Sequence, residues 1–499
     1  MIRAAFEKGA EGLTYPACPP FDPPEFYPEF RRANLCFGQD PSNAVYPLVR
    51  SLLRRLRLDE ENYGTDRWNP LGGFVGPGQR VLIKPNLVHH AHPKGPSALP
   101  WMVSHPSIIR ALLDYALLAV GPKGSVVIGD TPVENCDFTA LCRTIGLDEL
   151  VATVRQRGVA VSLLDFRTYM TTQHPDATTS RTELSGDPSG YTDIDLGRDS
   201  YLQELEDERG PQNYYTLGDH SVDHFDPKSR RPGLPNNFHS SGRHLYRIPN
   251  TVLDSDCIIN VAKLKTHKFA GVSLSLKNAI GICQGKEFLP HRRPGTPQEG
   301  GDSFATYPSA RFVGTLRLKR MIYRTLGGTV GSRIARLNQR LRGARLPHEV
   351  RLEPLYGDWY GNDTIWRTTL DLSLVLLHAD RESFELSRRR RPVLSVIDGI
   401  IGMDHEAPMT GLPVCSNLVV GGLDSVAADT LGCFLMGLDP RKIPTIARAG
   451  AGRGGHLGSP TLRREETDGP VAVEMARTPF APTKGWAESL CGPLESWPF

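Results

Sequence analysis

The sequence lacks the cysteine pairs, long apolar runs and charge imbalance that mark several large classes of protein. Its nine cysteines contain no CxxC pair, which excludes the signature of a zinc ribbon or a ferredoxin-type cluster and favours reduced thiols in a cytosol. No stretch approaches the roughly 20 apolar residues of a spanning helix, and the N-terminus has no apolar signal segment. A net charge of +3 argues against general binding of nucleic acid. We therefore expect a soluble, cytoplasmic protein.

The common catalytic templates are missing as well. There is no P-loop, no GxSxG nucleophile elbow, no HExxH zinc motif and no GxGxxG after the first predicted strand. Function must therefore be argued from the fold and from clusters of polar residues.

The length of 499 residues predicts two or three packed units, since domains hold about 100 to 200 residues each. The predicted units are a Pro-rich arm with a surface helix (1–74), an α/β body (75–450) and a wrapping tail (451–499). Two segments interrupt the body, namely a loop-rich insertion at 171–245 and a loop plus basic helical insertion at 291–370.

The body alternates short β-branched runs with longer helical patterns, which is typical of βαβ units. The predicted strands are 80–84, 125–128, 159–164, 257–262, 392–397 and 418–420. The predicted helices are 46–58, 106–120, 147–157 and 425–436, the last capped by Asp424. These elements predict an α/β fold with a mostly parallel sheet, helices on both faces and long loop-rich insertions.

Most of the predicted strands end in polar or charged residues. The ends are Lys84-Pro85-Asn86, Gly129-Asp130, Asp165, Lys263 to His267, and Asp398-Gly399. Ligands bind where the carboxyl ends of parallel strands line one crevice, so these side chains are expected to converge. One polar strand end is ordinary, because chains leave the core there, but five together favour a shared site. A pocket that holds several lysines beside carboxylates would shift the pKa values of these groups away from one another. Proton-transfer sites require such a difference.

The densest polar segment follows the fourth predicted strand. If the chain stays extended, Lys263, Lys265 and His267 lie on one side and can face one anionic group. The alternative is a solvated strand edge. Residues 271–281 are mostly uncharged, which favours partly buried lysines, and their Ser- and Gly-containing turn could offer backbone N–H groups to a phosphate or carboxylate. The Pro- and Gly-rich stretch 286–302 is predicted to be a shaped loop over the crevice.

Carboxylates cluster again after the fifth predicted strand. Asp404, Asp424 and Asp429 are oxygen donors of the kind that Mg²⁺ or Mn²⁺ prefers, but their spacing matches no defined metal loop. N-capping explains Asp424 without a metal. We assign no metal ligand, and a divalent cation stays an alternative.

These motifs together resemble the domain-of-unknown-function family DUF362. They are Lys84 to Leu87, Gly129-Asp130, Lys263 to His267, Ser275 to Asn278, Asp398 to Met403 and Asp424 to Asp429. Residues 289–293 with 299–302, and 361–367 with 371–372, resemble a larger branch, whose members often accompany genes for polysaccharides or specialised metabolites. Some relatives carry a ferredoxin-like cluster domain, but this chain lacks its cysteines, so no iron–sulfur role is implied and the cofactor is unknown. The sequence departs from the family pattern at Arg292 and Ala407.

The polar positions matched by this resemblance form the predicted site. The residues expected to act in catalysis are Lys263, Lys265, His267, Lys277, Asp130 and Asp398. The residues expected to bind substrate are Lys84, Asn86, Asn278, His291 and Arg293. His267 or a lysine of lowered pKa would act as general acid or base, with an aspartate as its partner. The predicted protein is an enzyme that binds an anionic small molecule, which is a carboxylate, a phosphate ester or a sugar nucleotide.

A non-catalytic scaffold or peripheral-membrane protein is the alternative. Residues 311–345 carry ten basic and no acidic residues, with an apolar residue every three or four positions, as in helices that lie on an anionic membrane. A core-packed helix with solvated arginines explains the same pattern. From Lys263 to Arg345, seventeen basic residues stand against three acidic ones, a difference of +14, so a near-neutral chain contains a strongly basic centre.

Overall fold

A computed structural model of the chain describes residues 2–31, 38–173, 179–216, 238–306, 357–386, 390–450, 457–462 and 470–490. The predicted membrane-contact segment 311–345 lies outside these ranges.

The described ranges contain strands and helices in alternation. The strands are β1 (Ala4–Lys8), β2 (Arg80–Pro85), β3 (Ser125–Asp130), β4 (Val161–Asp165), β5 (Tyr169–Gln173), β6 (Thr179–Glu183), β7 (Tyr191–Asp195), β8 (Tyr215–Thr216), β9 (His239–Ser240), β10 (Arg243–Pro249), β11 (Cys257–His267), β12 (Gly271–Ser273), β13 (Pro290–Arg292), β14 (Val393–Asp404) and β15 (Leu412–Gly422). The helices are α1 (Val45–Arg55), α2 (Leu99–Met102), α3 (Pro106–Val120), α4 (Phe138–Thr144), α5 (Leu147–Arg155), α6 (Gln203–Arg209), α7 (Asn250–Leu253), α8 (Ser275–Asn278), α9 (Ile365–His378), α10 (Ser425–Leu435), α11 (Pro444–Ala447), α12 (Pro470–Ala476) and α13 (Lys484–Leu490).

The main sheet has the strand order β1-β15-β14-β11-β2-β3-β4, and β12 pairs with β11. The pairs from β14 through β11, β2 and β3 to β4 are parallel, whereas β15 joins β14 antiparallel and β1 joins β15 antiparallel. The carboxyl ends of the five parallel strands therefore meet at one edge of the sheet.

Apolar side chains cover both faces of this sheet. Along β2, Leu82 belongs to one buried cluster, while Val81 and Ile83 belong to another, as the period of two in a strand requires. Helices α9 and α10 pack on the first face, and helices α1, α3 and α5 pack on the second. The predicted α/β class, with a mostly parallel sheet and helices on both faces, is confirmed.

Three strands run several residues further than the sequence predicted. β11 continues past Ala262 to His267 because its last residues pair with β12. β14 continues past Ile397 to Asp404, and β15 spans Leu412–Gly422 instead of 418–420, because these two strands pair along that length. The register between β11 and β14 shifts between Lys263 and Lys265. The polar segment that the sequence placed after a strand is therefore the end of that strand.

The N-terminal residues also differ from the predicted extended arm. Ala4–Lys8 forms β1 at the edge of the main sheet, and the prolines that argued against regular structure begin only after it. At the other end of the chain, Phe480 and Trp486 are buried in the same apolar cluster as α9. Segments from both ends of the chain thus pack on the body.

Among the described helices, none alone has the length and apolar character needed to cross a bilayer. The bent pair Pro96–Met102 and Pro106–Val120 passes a test of length and composition when its two parts are counted together.

Candidate functional site

The carboxyl ends of β2, β3 and β11 open into a cavity of about 420 Å³. Its lining includes six basic side chains and two carboxylates, together with two histidines. These residues are Lys84, Lys265, Lys268, Lys277, Lys286, Arg292, Asp130, Asp358, His267 and His291. Asn86 and Asn278 also line the cavity. Eight of the predicted site residues therefore meet at one place, as expected from the strand ends.

Lys84 and Asp130 form the fixed floor of this cavity. The Lys84 ammonium lies 2.7 Å from Asp130 Oδ1, and it also donates to the Pro85 carbonyl and to Asn278 Oδ1. Asp130 in turn accepts backbone N–H groups of Leu87 and Thr131. Both side chains are buried and fully engaged, so they hold the site together and have little capacity left for a ligand.

A glycine allows this floor to approach the next segment closely. A Cβ placed on Gly281 would lie 2.1 Å from Asp130 Oδ1 and 2.5 Å from Lys84 Nζ. The Gly281 carbonyl accepts the Thr131 N–H at 3.0 Å, which ties the two loops together. A larger residue at position 281 would therefore force the ion pair apart.

Three amides position the next lysine. Asn278 donates to Asn260 Oδ1 at 2.7 Å, and Asn86 donates to Asn278 Oδ1 at 3.1 Å. Asn86 Oδ1 then accepts from the Lys265 ammonium at 2.6 Å, and the Met102 carbonyl accepts from it at 3.0 Å. Burial lowers the pKa of Lys265 well below its ordinary value, and the nearby lysines lower it further. One of its three N–H bonds is left for the cavity.

The two cavity histidines have opposite tautomers. The Phe269 N–H donates to Nδ1 of His267 at 3.1 Å, so in the neutral ring the proton is on Nε2. His291 Nδ1 lies 2.8 Å from the Leu289 carbonyl, which can only accept, so its Nε2 carries a lone pair. Burial lowers the pKa of both rings well below 6.5, and the cations nearby add to the effect. At neutral pH the cavity therefore contains one imidazole donor and one imidazole acceptor.

Lys277 differs from Lys84, Lys265 and Lys286 because its ammonium has no hydrogen-bond or ion-pair partner within the described ranges. It lies on the single-turn helix α8, whose first N–H groups, those of Ser275 and Leu276, are taken by the Asp429 carboxylate at 2.7 and 2.9 Å. Burial lowers the pKa of Lys277 to about 7, and Lys286 and Lys84 contribute further. The turn predicted to bind a phosphate through its backbone is thus occupied by Asp429, so these two N–H groups are not available to a ligand.

Lys263 and Asp398, two of the predicted catalytic residues, do not line this cavity. Their side chains form a fully buried ion pair of 2.9 Å. The Lys263 ammonium also donates to Tyr15 Oη at 2.7 Å and to the Pro100 carbonyl at 2.6 Å. Its three N–H bonds are therefore all used, and the expectation that it shares the open crevice is corrected.

Tyr15, from the N-terminal arm, closes this second group. Its hydroxyl donates to Asp398 Oδ1 at 2.6 Å, and its ring stacks on His105 with centroids 4.0 Å apart. The His105 N–H donates to Asp398 Oδ2 at 2.9 Å. Burial raises the pKa of Tyr15 well above 10, and Asp398 raises it further. We call Tyr15, His105, Lys263 and Asp398 the Tyr15 cluster.

The comparisons with known proteins give one match for this architecture. Residues 217–434 match the family model described as a domain of unknown function (DUF362). DUF362 is the family that the strand-end motifs predicted. Neither the curated proteins nor the solved structures contain a match to the chain.

The DUF362 match includes β11, α8 and β14, but the cavity also needs β2 and β3, which precede it in the chain. Lys84, Asn86 and Asp130 come from those earlier strands. The site is therefore built jointly by the matched segment and by residues outside it.

One predicted substrate contact in the segment that matches DUF362 is shifted by one position along the chain. Arg293 does not line the cavity, and its guanidinium lies 3.5 Å from Asp363 and 3.8 Å from Asp302. Its neighbour Arg292 lines the cavity instead and lies over the Tyr215 ring, 5.1 Å from its centroid. Position 292 is also where the sequence departs from the family pattern.

Lys268 and Lys286 are lining residues that the sequence prediction left out. Both stand directly beside chosen motifs, since Lys268 follows His267 and Lys286 begins the predicted loop. Their position directly next to those motifs was the available signal.

The metal candidates lie apart, each with its own N–H partners. Asp424 caps α10 through the N–H groups of Val426 and Ala427, as predicted, and Asp404 accepts the Ala481 N–H at 2.9 Å. Asp429 caps α8. Within the part of the chain that the structure describes, no three His, Cys, Asp or Glu side chains form a group suited to a metal ion.

Proposed function

We propose that the protein is an enzyme that binds an anionic small molecule in the cavity at the carboxyl ends of β2, β3 and β11. The observation that carries this proposal is the excess of basic side chains, since six of them and two carboxylates line the same 420 Å³. A cavity of this size is in the usual range for a metabolite site, about 300 to 1,000 Å³.

The charges within the cavity favour an anion because Lys265, Lys277 and Lys286 have no carboxylate partner within the described ranges. Asp130 is already bound to Lys84, and Lys286 has a single distant contact, 3.3 Å from the Thr131 carbonyl. Burial lowers the pKa values of Lys265, Lys277 and Lys286. An anion placed among these amines would favour their protonated forms, so binding should be accompanied by uptake of protons.

The neutral histidines support chemistry in addition to binding. His267 presents a proton on Nε2, and His291 presents a lone pair on Nε2, in the same cavity. A donor and an acceptor in one site meet the minimum requirement for general acid and general base roles.

Titration calorimetry at pH 7 tests the proposal with inorganic phosphate, pyrophosphate, citrate and UDP-glucose. We expect at least one of them to bind, with proton uptake revealed by repeating the titration in buffers of different ionisation enthalpy. Lys286→Met removes a cavity charge that has few protein contacts, and it should weaken binding about tenfold or more, the value of one charged hydrogen bond.

Lys123→Met is the matched control, because Lys123 is exposed and distant from the cavity lining. This variant should bind as the original protein does. If none of the four anions binds, or if both variants weaken binding equally, the proposed function is wrong.

The biosynthetic setting, the cytoplasmic location and the role of residues 311–345 at a membrane stay predictions. The seven described cysteines are all free thiols, in keeping with a reducing compartment.

A further inference from the structure

We propose that Lys277 forms a covalent imine with an anionic aldehyde or ketone, such as a 2-oxo acid, that is held in the cavity. This inference rests on the proposed function and specifies its substrate class.

The first support is the absence of competing contacts. The Lys84 ammonium has three protein acceptors and that of Lys265 has two. The Lys277 ammonium has none within the described ranges, yet its side chain lines the cavity and is only partly exposed. Among these three lysines, the nitrogen of Lys277 is the one positioned to react with a ligand without first breaking protein hydrogen bonds.

The second support is the surrounding charge. The charged and titratable groups that influence Lys277 are Lys84, Lys265, Lys286, His267 and His291. None of them is a carboxylate, and a cluster of cations in a desolvated site favours the neutral amine, which is the nucleophilic form. With a pKa of about 7, roughly half of the Lys277 side chains are neutral at pH 7.

The third support is the pair of histidines. The lone pair of Lys277 Nζ attacks the carbonyl carbon, a C–N bond forms, and the π electrons of the C=O bond move to oxygen. That oxygen then leaves as water and a C=N bond remains. Both amine protons end on the departing oxygen, so one amine and one carbonyl give one imine and one water. His267 can donate a proton to the oxygen, and His291 can accept one from the nitrogen.

The other cations define the substrate class. Lys265, Lys286 and Arg292 line the same cavity and would hold a carboxylate or phosphate group of the ligand beside the Lys277 nitrogen. An aldehyde or ketone without a negative charge would lose those contacts.

Reductive trapping tests the imine directly. The full chain is incubated at pH 7 with glyoxylate and cyanoborohydride, and the modified lysines are located by peptide mass spectrometry as carboxymethyl adducts. We expect Lys277 to be labelled about tenfold or more faster than the exposed Lys123, because about half of the Lys277 side chains are neutral and nucleophilic at pH 7. Inorganic phosphate should slow the labelling of Lys277 only, and uncharged acetaldehyde should label it at least tenfold more slowly.

Lys277→Arg keeps the positive charge and removes the nucleophile, so the cavity adduct should be lost in this variant. If the variant does not fold, the labelled lysines identified in the original protein still show whether Lys277 reacts. Labelling of Lys277 at no more than the rate of Lys123, in a protein that binds one of the four anions, would overturn the imine and leave the proposed function standing. Absence of binding by all four anions would overturn the proposed function, and the anionic substrate class with it.

Discussion

Lys263 and Lys265 lie two residues apart on β11 and are both buried, yet their hydrogen-bond partners and their access to the cavity differ. Lys263 gives all three of its N–H bonds to Tyr15, Pro100 and Asp398, and its side chain is fully buried. Lys265 gives two to Asn86 and Met102 and lines an open cavity. Protein acceptors therefore use every N–H bond of Lys263, whereas Lys265 keeps one N–H bond that a ligand in the cavity can accept.

This difference shows that a charged residue at a strand end can serve either to stabilise the fold or to bind a ligand, depending on its neighbours. In the Tyr15 cluster a carboxylate stands beside the lysine, and the arm and α2 supply the remaining acceptors. In the cavity the cations outnumber the carboxylates, and several of their N–H bonds have no protein acceptor within the described ranges. An unpaired buried charge is costly. A bound anion would therefore stabilise protonated lysines in the cavity, whereas Lys263 in the Tyr15 cluster is already paired with Asp398.

The largest expected effect comes from breaking the Tyr15 cluster with Asp398→Ala. This change leaves the Lys263 charge without its carboxylate and deprives Tyr15 and the His105 N–H of their acceptor. Removing one partner of a buried pair costs about 3 to 5 kcal/mol in the free energy of unfolding, measured by denaturant titration. The double variant Lys263→Met with Asp398→Leu should recover much of that loss. An unchanged unfolding midpoint for Asp398→Ala would contradict the structural role of the pair.

A smaller effect is expected from Tyr15→Phe. The ring and its stacking on His105 remain, but Lys263 loses an acceptor and Asp398 loses a donor. The free energy of unfolding should fall by about 1 to 3 kcal/mol, the cost of leaving buried polar groups unsatisfied. Tyr360→Phe, at a partly exposed ring, is the matched control and should change stability by less than about 0.5 kcal/mol. If the two changes lower the free energy of unfolding equally, the hydroxyl of Tyr15 contributes no more to stability than a hydroxyl at the surface, and the role given to the Tyr15 cluster is wrong.

The smallest effect, when it is expressed per pH unit, is a change in pH dependence in the cavity. Burial lowers the pKa of Lys277 in the folded protein to about 7, whereas an unfolded chain holds that proton up to about pH 10.4. Between these values the unfolded chain binds more protons, so the free energy of unfolding rises with pH. Lys277→Met should reduce this slope by up to about 1.4 kcal/mol per pH unit and should stabilise the protein at pH 7. Denaturant titrations from pH 7 to 10 measure the slope. The control Lys123→Met should leave the slope unchanged, and an unaltered slope in Lys277→Met would contradict the shifted pKa.

Much of the fold followed from patterns that act locally. Helix α3 begins at Pro106 and ends before Gly121 because both residues are strong boundary signals, and α10 begins where Asp424 can cap it. β1 was missed since its five residues belong to the sheet only through β15, a partner more than 400 residues away in sequence.

The candidate site was predictable in position but not in detail. The rule that ligands bind at the carboxyl ends of parallel strands correctly brought Lys84, Asp130 and His267 together. The separation of Lys263 from Lys265 was not predictable, because it depends on where Tyr15 and the Pro100 carbonyl lie. The choice between Arg292 and Arg293 depends likewise on which side of the β13 loop faces inward. Such facts are set by tertiary packing, which strand periodicity does not contain.

The contact between Tyr15 and Asp398 also bears on the order in which the protein is assembled during synthesis. The two residues are separated by 383 positions, and Tyr15 leaves the ribosome long before β14 exists. Until β14 and β15 are made, β1 has no strand to pair with and the Tyr15 hydroxyl has no carboxylate to bind. The nascent chain must therefore carry the arm without these native contacts while the 383 positions up to Asp398 are made.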